Sequence, residues 1–237
     1  MKAACLLLMT AVLTSTAMRA DAGEIRPPSP EQAAATKLHN QNIVAQAPGA
    51  DGVFAVRDDG TIKHMQSGLI CPSGFPSVDF SQAMVFPSNV KGMDVGCDYR
   101  RPGKLGGADA KLSIFATKAA EGMTLETAFA NYKQEIMQVQ HNVRPLGPAL
   151  KVHDMGSTPP DFLSEEYLVT LNDQDYTSDL IVAISGGWVV EVRATYIGQP
   201  NEIKIDKDAD VSAAGAGLGD RTMSALAFIM ATKTIGK

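Results

Sequence analysis

This chain of 237 residues has no basic cluster, no C-x-x-C pair, no closely spaced histidines and no apolar run long enough to cross a bilayer. Each absence removes a class of function. Asp and Glu number 26 against 21 Lys and Arg, for a formal net charge of −5, and Arg100-Arg101 is too small a patch to alter the balance. Neutralising phosphates supplies most non-specific affinity for nucleic acid, so nucleic acid is excluded as a partner. His39, His64, His141 and His153 show no H-x-x-x-H spacing, and the adjacent His153-Asp154 would point to opposite faces of a strand, so no zinc site is expected. Ser157 and Ser185 lack a G-x-S-x-G elbow. Glu165 and Glu166 are neighbours that would face apart on a strand, which argues against a paired-carboxylate site. Gly215-Ala216-Gly217-Leu218-Gly219-Asp220 lacks both the G-x-G-x-x-G spacing and a following lysine, and reads as close helix packing. No catalytic residue and no cofactor emerge, and the reading leans away from an enzyme.

What is present begins with an address. Lys2 precedes the apolar run Ala3 to Leu13, and Thr14, Ser15, Thr16 and Arg19 end it early. A positive start and a short apolar stretch are the pattern of a secretory signal, whereas a membrane span needs about 20 apolar residues. Ala20 and Ala22 form an A-x-A pattern that places cleavage after Ala22, with Ala17 as the competing site. The expected organisation is a signal peptide over 1–22, an extended leader and N-terminal helix over 23–51, and a single domain over 52–237. The mature chain is then periplasmic or secreted, without a transmembrane anchor.

Cysteine number gains meaning from that address. Cys5 departs with the signal and leaves Cys71 and Cys97, an even pair in a compartment that permits oxidation. A Cys71–Cys97 disulfide is expected, with two buried thiols as the alternative. The loop of about 26 residues corresponds to roughly 3 kcal/mol by chain entropy. Composition, with 45% hydrophobic and 20% charged residues, fits a packed globular chain.

Periodicity outlines the elements. Ser29 and Pro30 suit the N-cap and first position of a helix running from Glu31 to about Val44. Asp58-Asp59-Gly60 separates strand candidates Val53–Val56 and Thr61–Met65 as a hairpin turn. Further strands are expected at Gly68–Cys71, Ala83–Phe86, Asp94–Arg100 and Lys111–Thr117; in the last, Phe115 interrupts the alternation. Thr124 caps a helix to about His141, with Leu125, Phe129, Tyr132, Ile136 and Val139 as its apolar stripe. Arg144-Pro145 reads as the close of that segment. A strand over Glu166–Leu171 precedes a hairpin turning at Gly186-Gly187, which pairs Ser185 with Trp188, Ala183 with Val190 and Ile181 with Val192. A terminal helix is expected over Asp210–Lys233. Runs of strands joined by hairpins and flanked by helices give an α+β fold, an antiparallel sheet sandwich with flanking helices.

The strand Lys111–Thr117, helix Thr124–His141, meander Glu166–Tyr196 and helix Asp210–Lys233 together resemble the PsbP-like α/β/α sandwich. That resemblance rests on element order. It implies an exported accessory or assembly factor rather than an enzyme, and assigns no residue a role.

Two groups remain as candidate sites. Glu191 and Arg193 lie two residues apart on a half-covered sheet face and, with Trp188, make a candidate ligand site. An ion pair between the two is the simplest reading, and a carboxylate-binding Arg193 is the alternative. Asp206, Asp208 and Asp210 open a D-x-D-x-D run, but Val211 and Gly217 stand where a calcium loop needs glycine and glutamate. Acidic residues at a helix start explain them otherwise. The functional expectation is a non-catalytic exported accessory protein that binds a protein or envelope partner. A small-molecule binding module and a hydrolase with an unrecognised site are the alternatives.

Overall fold

The computed structural model describes residues 29–75, 78–101, 110–139, 142–152, 161–171, 174–196 and Ile235. The signal segment, the expected terminal helix and the Asp206, Asp208 and Asp210 run lie outside these residues. In chain order the elements are α1 (Pro30–Gln46), β1 (Phe54–Val56), β2 (Ile62–His64), β3 (Ile70–Cys71), β4 (Gly74–Phe75), β5 (Val78–Val85), β6 (Asp94–Arg100), β7 (Ala110–Lys118), α2 (Leu125–Val139), β8 (Val143–Pro145), β9 (Leu150–Val152), β10 (Phe162–Leu171), β11 (Gln174–Ser185) and β12 (Trp188–Tyr196). Strands β1, β2 and β3 form a small antiparallel sheet. The other nine form one large sheet in the order β4-β5-β6-β7-β12-β11-β10-β8, with β9 also pairing β10. Neighbouring strands throughout are antiparallel, as the hairpin signals predict, and the fold is α+β.

The centre of the large sheet follows from one turn. Gly186 and Gly187 have φ of 55° and 76°, the left-handed conformation that a two-residue turn between twisted strands demands. The turn sets the register Ser185↔Trp188, Ala183↔Val190 and Ile181↔Val192. Alternation then divides β12 between two faces. Trp188, Val190, Val192, Ala194 and Tyr196 project to one side, where Ile114, Ala116, Val95, Cys97, Tyr99 and Phe80 join them in the main core. The N-terminal block covers this side.

That block is tied down locally. Ser29 and Gln32 form a reciprocal capping box at the start of α1, which satisfies two otherwise orphaned N–H groups. The buried Asn40 donates from Nδ2 to the Gly60 carbonyl at 2.7 Å, and Lys37 pairs with Asp58 at the same distance, so α1 is docked on the β1–β2 turn. His64 is fully buried between Phe54 and Trp188, with ring centroids 5.5 Å from each. The expected Cys71–Cys97 disulfide is present, with Cα atoms 6.3 Å apart, and it joins β3 of the small sheet to β6 of the large one.

The second face of the large sheet belongs to α2. Thr124 caps this helix, accepting at Oγ1 from the Thr127 N–H at 3.2 Å. Ala128, Phe129 and Ile136 pack on Tyr167, Val169, Leu180, Val182 and Val189. Full burial of a side chain such as Leu180 or Ile136 stabilises by about 2 kcal/mol. Val139, expected in the apolar stripe, is 68% exposed because it sits in the last turn, beyond the sheet contact, and Ala128 is buried in its place.

Several strands differ from expectation: the two-residue β4 carries no signal in the sequence, and β10 begins at Phe162 rather than Glu166. The strand β5 begins at Val78 rather than Ala83, because a register shift between Phe80 and Gln82 breaks its alternation and conceals the first half. Residues Val143–Pro145, read as a helix terminator, form β8 at the outer edge of the sheet, where proline is tolerated. The short β9 pairs Leu150–Val152 with Phe162–Ser164 and carries too few residues to show a period. Among the described residues no helix is long and apolar enough to cross a membrane.

Candidate functional site

The helix α2 covers the β10–β11 side of its sheet face and leaves the β6, β7 and β12 strands partly open. Three cross-strand rows supply the floor there. Asp94 pairs with Thr117 and Thr117 with Val189; Gly96 pairs with Phe115 and Phe115 with Glu191; Ser113 pairs with Arg193. Helix residues Tyr132 and Glu135 stand over the gap, and Phe86 follows β5 at its rim. The result is a cleft with a volume of ≈ 140 Å³ lined by Phe86, Asp94, Phe115, Thr117, Tyr132, Glu135, Glu191 and Arg193.

A glycine makes room for one wall. A Cβ on Gly96 would lie 2.6 Å from Phe115 Cδ1 and 2.9 Å from Met84 Cε, closer than such atoms approach. The missing side chain therefore lets the Phe115 ring settle onto the sheet. Phe86 packs beside it with centroids 5.9 Å apart, and the Arg193 guanidinium lies 6.0 Å from the Phe115 centroid, at the outer limit for a cation–π contact.

Hydrogen bonds fix the polar groups. Arg193 donates from Nε to Glu191 Oε1 at 3.0 Å, and its Nη2 donates to the same oxygen. Both donors thus converge on Oε1 while Glu191 also lines the cleft. The Tyr132 hydroxyl donates to Thr117 Oγ1 at 3.1 Å, and Thr117 in turn donates to Asp94 Oδ1 at 2.9 Å. Farther along this face Lys133 reaches the buried Glu165 at 2.9 Å, and Tyr167 donates to the other oxygen of Glu165 at 2.6 Å.

Burial dominates the electrostatics. Glu191 is 2% exposed, and loss of solvent pushes its carboxyl up to about 7; Arg193 opposes the shift, while Glu135 and Asp94 add to it. Asp94 is also held above the usual carboxylate range, chiefly by burial, with the Thr117 hydrogen bond opposing and the Glu135 charge reinforcing. Burial raises the Tyr132 hydroxyl too, so it remains protonated as a donor. The cleft contains three carboxyl groups and one guanidinium, with the buried carboxyl poised between charge states near neutrality.

The structure brings Arg193 and Glu191 together as an ion pair, but it separates Trp188 from them. Residue 188 has the opposite parity from 191 and 193 on one strand, so its ring points into the main core against His64 and is 4% exposed. Grouping Trp188 with Arg193 is corrected on that ground. Asp94, Phe115, Thr117, Tyr132, Glu135 and Phe86 escaped the sequence reading. Phe115 left a trace, since it is the residue that breaks the alternation of its strand: it is the aromatic floor of the cleft on the face shared with Ser113 and Thr117. Among the described residues no group of three His, Cys, Asp or Glu side chains is arranged to hold a metal ion.

No protein-family model matches the sequence, and no curated protein matches it. Among solved structures the chain is similar to PA94 from Pseudomonas aeruginosa, a protein of unknown function, at 8% identity and a TM-score of 0.37, over 59% of this chain and 98% of that one.

Proposed function

We propose that this chain is an exported, non-catalytic binding protein of the accessory type, and that it engages its ligand or envelope partner through the cleft between α2 and strands β6, β7 and β12. The observation that supports this reading is the composition of that cleft: apolar aromatic walls enclose a few polar groups, most of them fixed by hydrogen bonds, in the manner of a small binding site. The N-terminal signal pattern and the Cys71–Cys97 bond support an extracytoplasmic setting.

Two measurements test the reading. N-terminal sequencing of protein recovered outside the cytoplasm should begin at Gly23; a chain that still carries Met1–Ala22 after expression in an export-competent cell contradicts the address. A fragment set containing amines, carboxylates and sugars, titrated into 15N-labelled protein, should give saturable shifts clustered at Phe115, Thr117 and Arg193. Scattered or absent shifts would overturn the cleft assignment.

A further inference from the structure

We infer that the cleft is built for an organic ammonium group, seated between Asp94, Glu135 and Glu191 against the Phe115 and Phe86 rings. This rests on the assignment of the cleft as the binding site and adds the chemistry of what it takes. The first reason is occupancy of the one resident cation. Arg193 directs Nε and Nη2 at Glu191 Oε1, so two of its five N–H groups and the nearest part of its charge are already committed to a carboxylate.

The second reason is what the pair leaves over. Glu191 is nine-tenths and more buried, yet both donors land on one of its oxygens, and the side chain borders the cleft. Asp94 receives a hydrogen bond at Oδ1 from Thr117. Glu135 lines the same space from α2, and among the described residues no ion pair engages it. The Tyr132 and Thr117 hydroxyls pass their protons inward along the chain Tyr132→Thr117→Asp94, so the tyrosine oxygen remains an acceptor. Apart from the remaining N–H groups of Arg193, the open hydrogen-bonding capacity is acceptor capacity, on Asp94, Glu135, Glu191 and the Tyr132 oxygen, and an alkylammonium brings three donors.

The third reason is electrostatic. Asp94, Glu135 and Glu191 line one cleft with a single guanidinium among its lining residues, and Lys111 and Lys133 elsewhere on this face are held by Asp98 and Glu165. A second positive charge relieves that repulsion, and the ring faces of Phe115 and Phe86 favour it further. A volume of ≈ 140 Å³ suits an ammonium with a short alkyl stem rather than a sugar or a nucleotide.

The test uses n-butylammonium chloride titrated into the full mature chain at pH 7.5, followed by calorimetry and by the Arg193 Nε–H resonance. Sodium chloride at equal ionic strength and sodium acetate are the comparison arms. Saturable binding of butylammonium is expected, weakened roughly tenfold by Asp94→Asn and by Glu135→Gln. Glu135→Gln lies on the outer part of a helix and leaves the fold intact. Affinity should fall as pH drops below about 7, where Glu191 takes up a proton, and Glu191→Gln should flatten that dependence. A peptide with one internal lysine shows the source: tighter binding than butylammonium marks a lysine of a partner chain, and weaker binding marks a free amine, either outcome upholding the ammonium chemistry. Saturable acetate binding that perturbs Arg193, without a butylammonium response, overturns the inference and leaves the cleft as a binding site. Silence in both arms removes the inference alone, and the fragment titration then decides whether the cleft assignment stands.

Discussion

Between pH 4 and 6.5 the His64 imidazole is neutral in the fold and increasingly protonated in the unfolded chain, because burial pushes it down to about 4 against the opposing effect of the Gly92 backbone. The unfolded state binds more protons in that window, so His64 makes stability rise with pH. Glu191 has the opposite sign. Its carboxyl is pushed from 4.5 up to about 7 in the fold, the native state binds more protons between those values, and stability falls as pH rises. The two slopes oppose each other over most of the range. Urea denaturation from pH 4 to 7 should show, relative to the parent, a profile tilted downward with pH in His64→Leu and upward in Glu191→Gln. Parallel profiles in all three proteins would contradict both assignments. Gly96→Ala belongs to the same scale. Its new Cβ meets the Phe115 ring at 2.6 Å, so the ring must move; a loss of about 1–3 kcal/mol and a shifted Arg193 Nε–H resonance are expected.

The hairpin of β11 and β12 was the most legible element, since two glycines fix its turn and the turn fixes every pair along it. Gly187→Ala forces a Cβ into left-handed backbone beside Lys118 Nζ at 3.3 Å and should cost about 1–2 kcal/mol, read from the denaturation midpoint. The helix α1 was legible from its cap alone, whereas its docking was not: Asn40 is a polar residue whose burial depends on a carbonyl in the distant β1–β2 turn. Asn40→Ala leaves the Gly60 carbonyl without that donor, and about 1–3 kcal/mol should be lost, with faster amide exchange along α1 as the local signature. The first half of β5 was hidden by its bulge, and β8 by a proline that reads as a terminator until an edge position is known. The cleft was legible only as Glu191 and Arg193. Its remaining members come from β6, β7 and α2, and no spacing along the chain announces that cross-strand pairing sets Asp94 beside Thr117 and Phe115 beside Glu191.

At the scale of the molecule, the two sheets and two helices among the described residues share one covalent tie. The Cys71–Cys97 bond links β3 to β6 and was foreseeable from cysteine number and the expected compartment, although the two sheets that it joins were not. Replacing both cysteines by alanine should destabilise by roughly 3 kcal/mol, measured in denaturant against the oxidised parent. The ends of the large sheet have a different consequence. One end is β4, a strand of two residues; the other is shared by β8 and β9, three residues each, which cover different parts of β10, with Pro145 within β8. At the β10 end no long row of unpaired backbone groups remains on which a foreign strand could template itself, whereas β4 pairs only Val78 and Asp79 of β5. A sheet whose β10 edge is finished in this way resists strand addition there, which directs molecular recognition away from that edge and toward its faces.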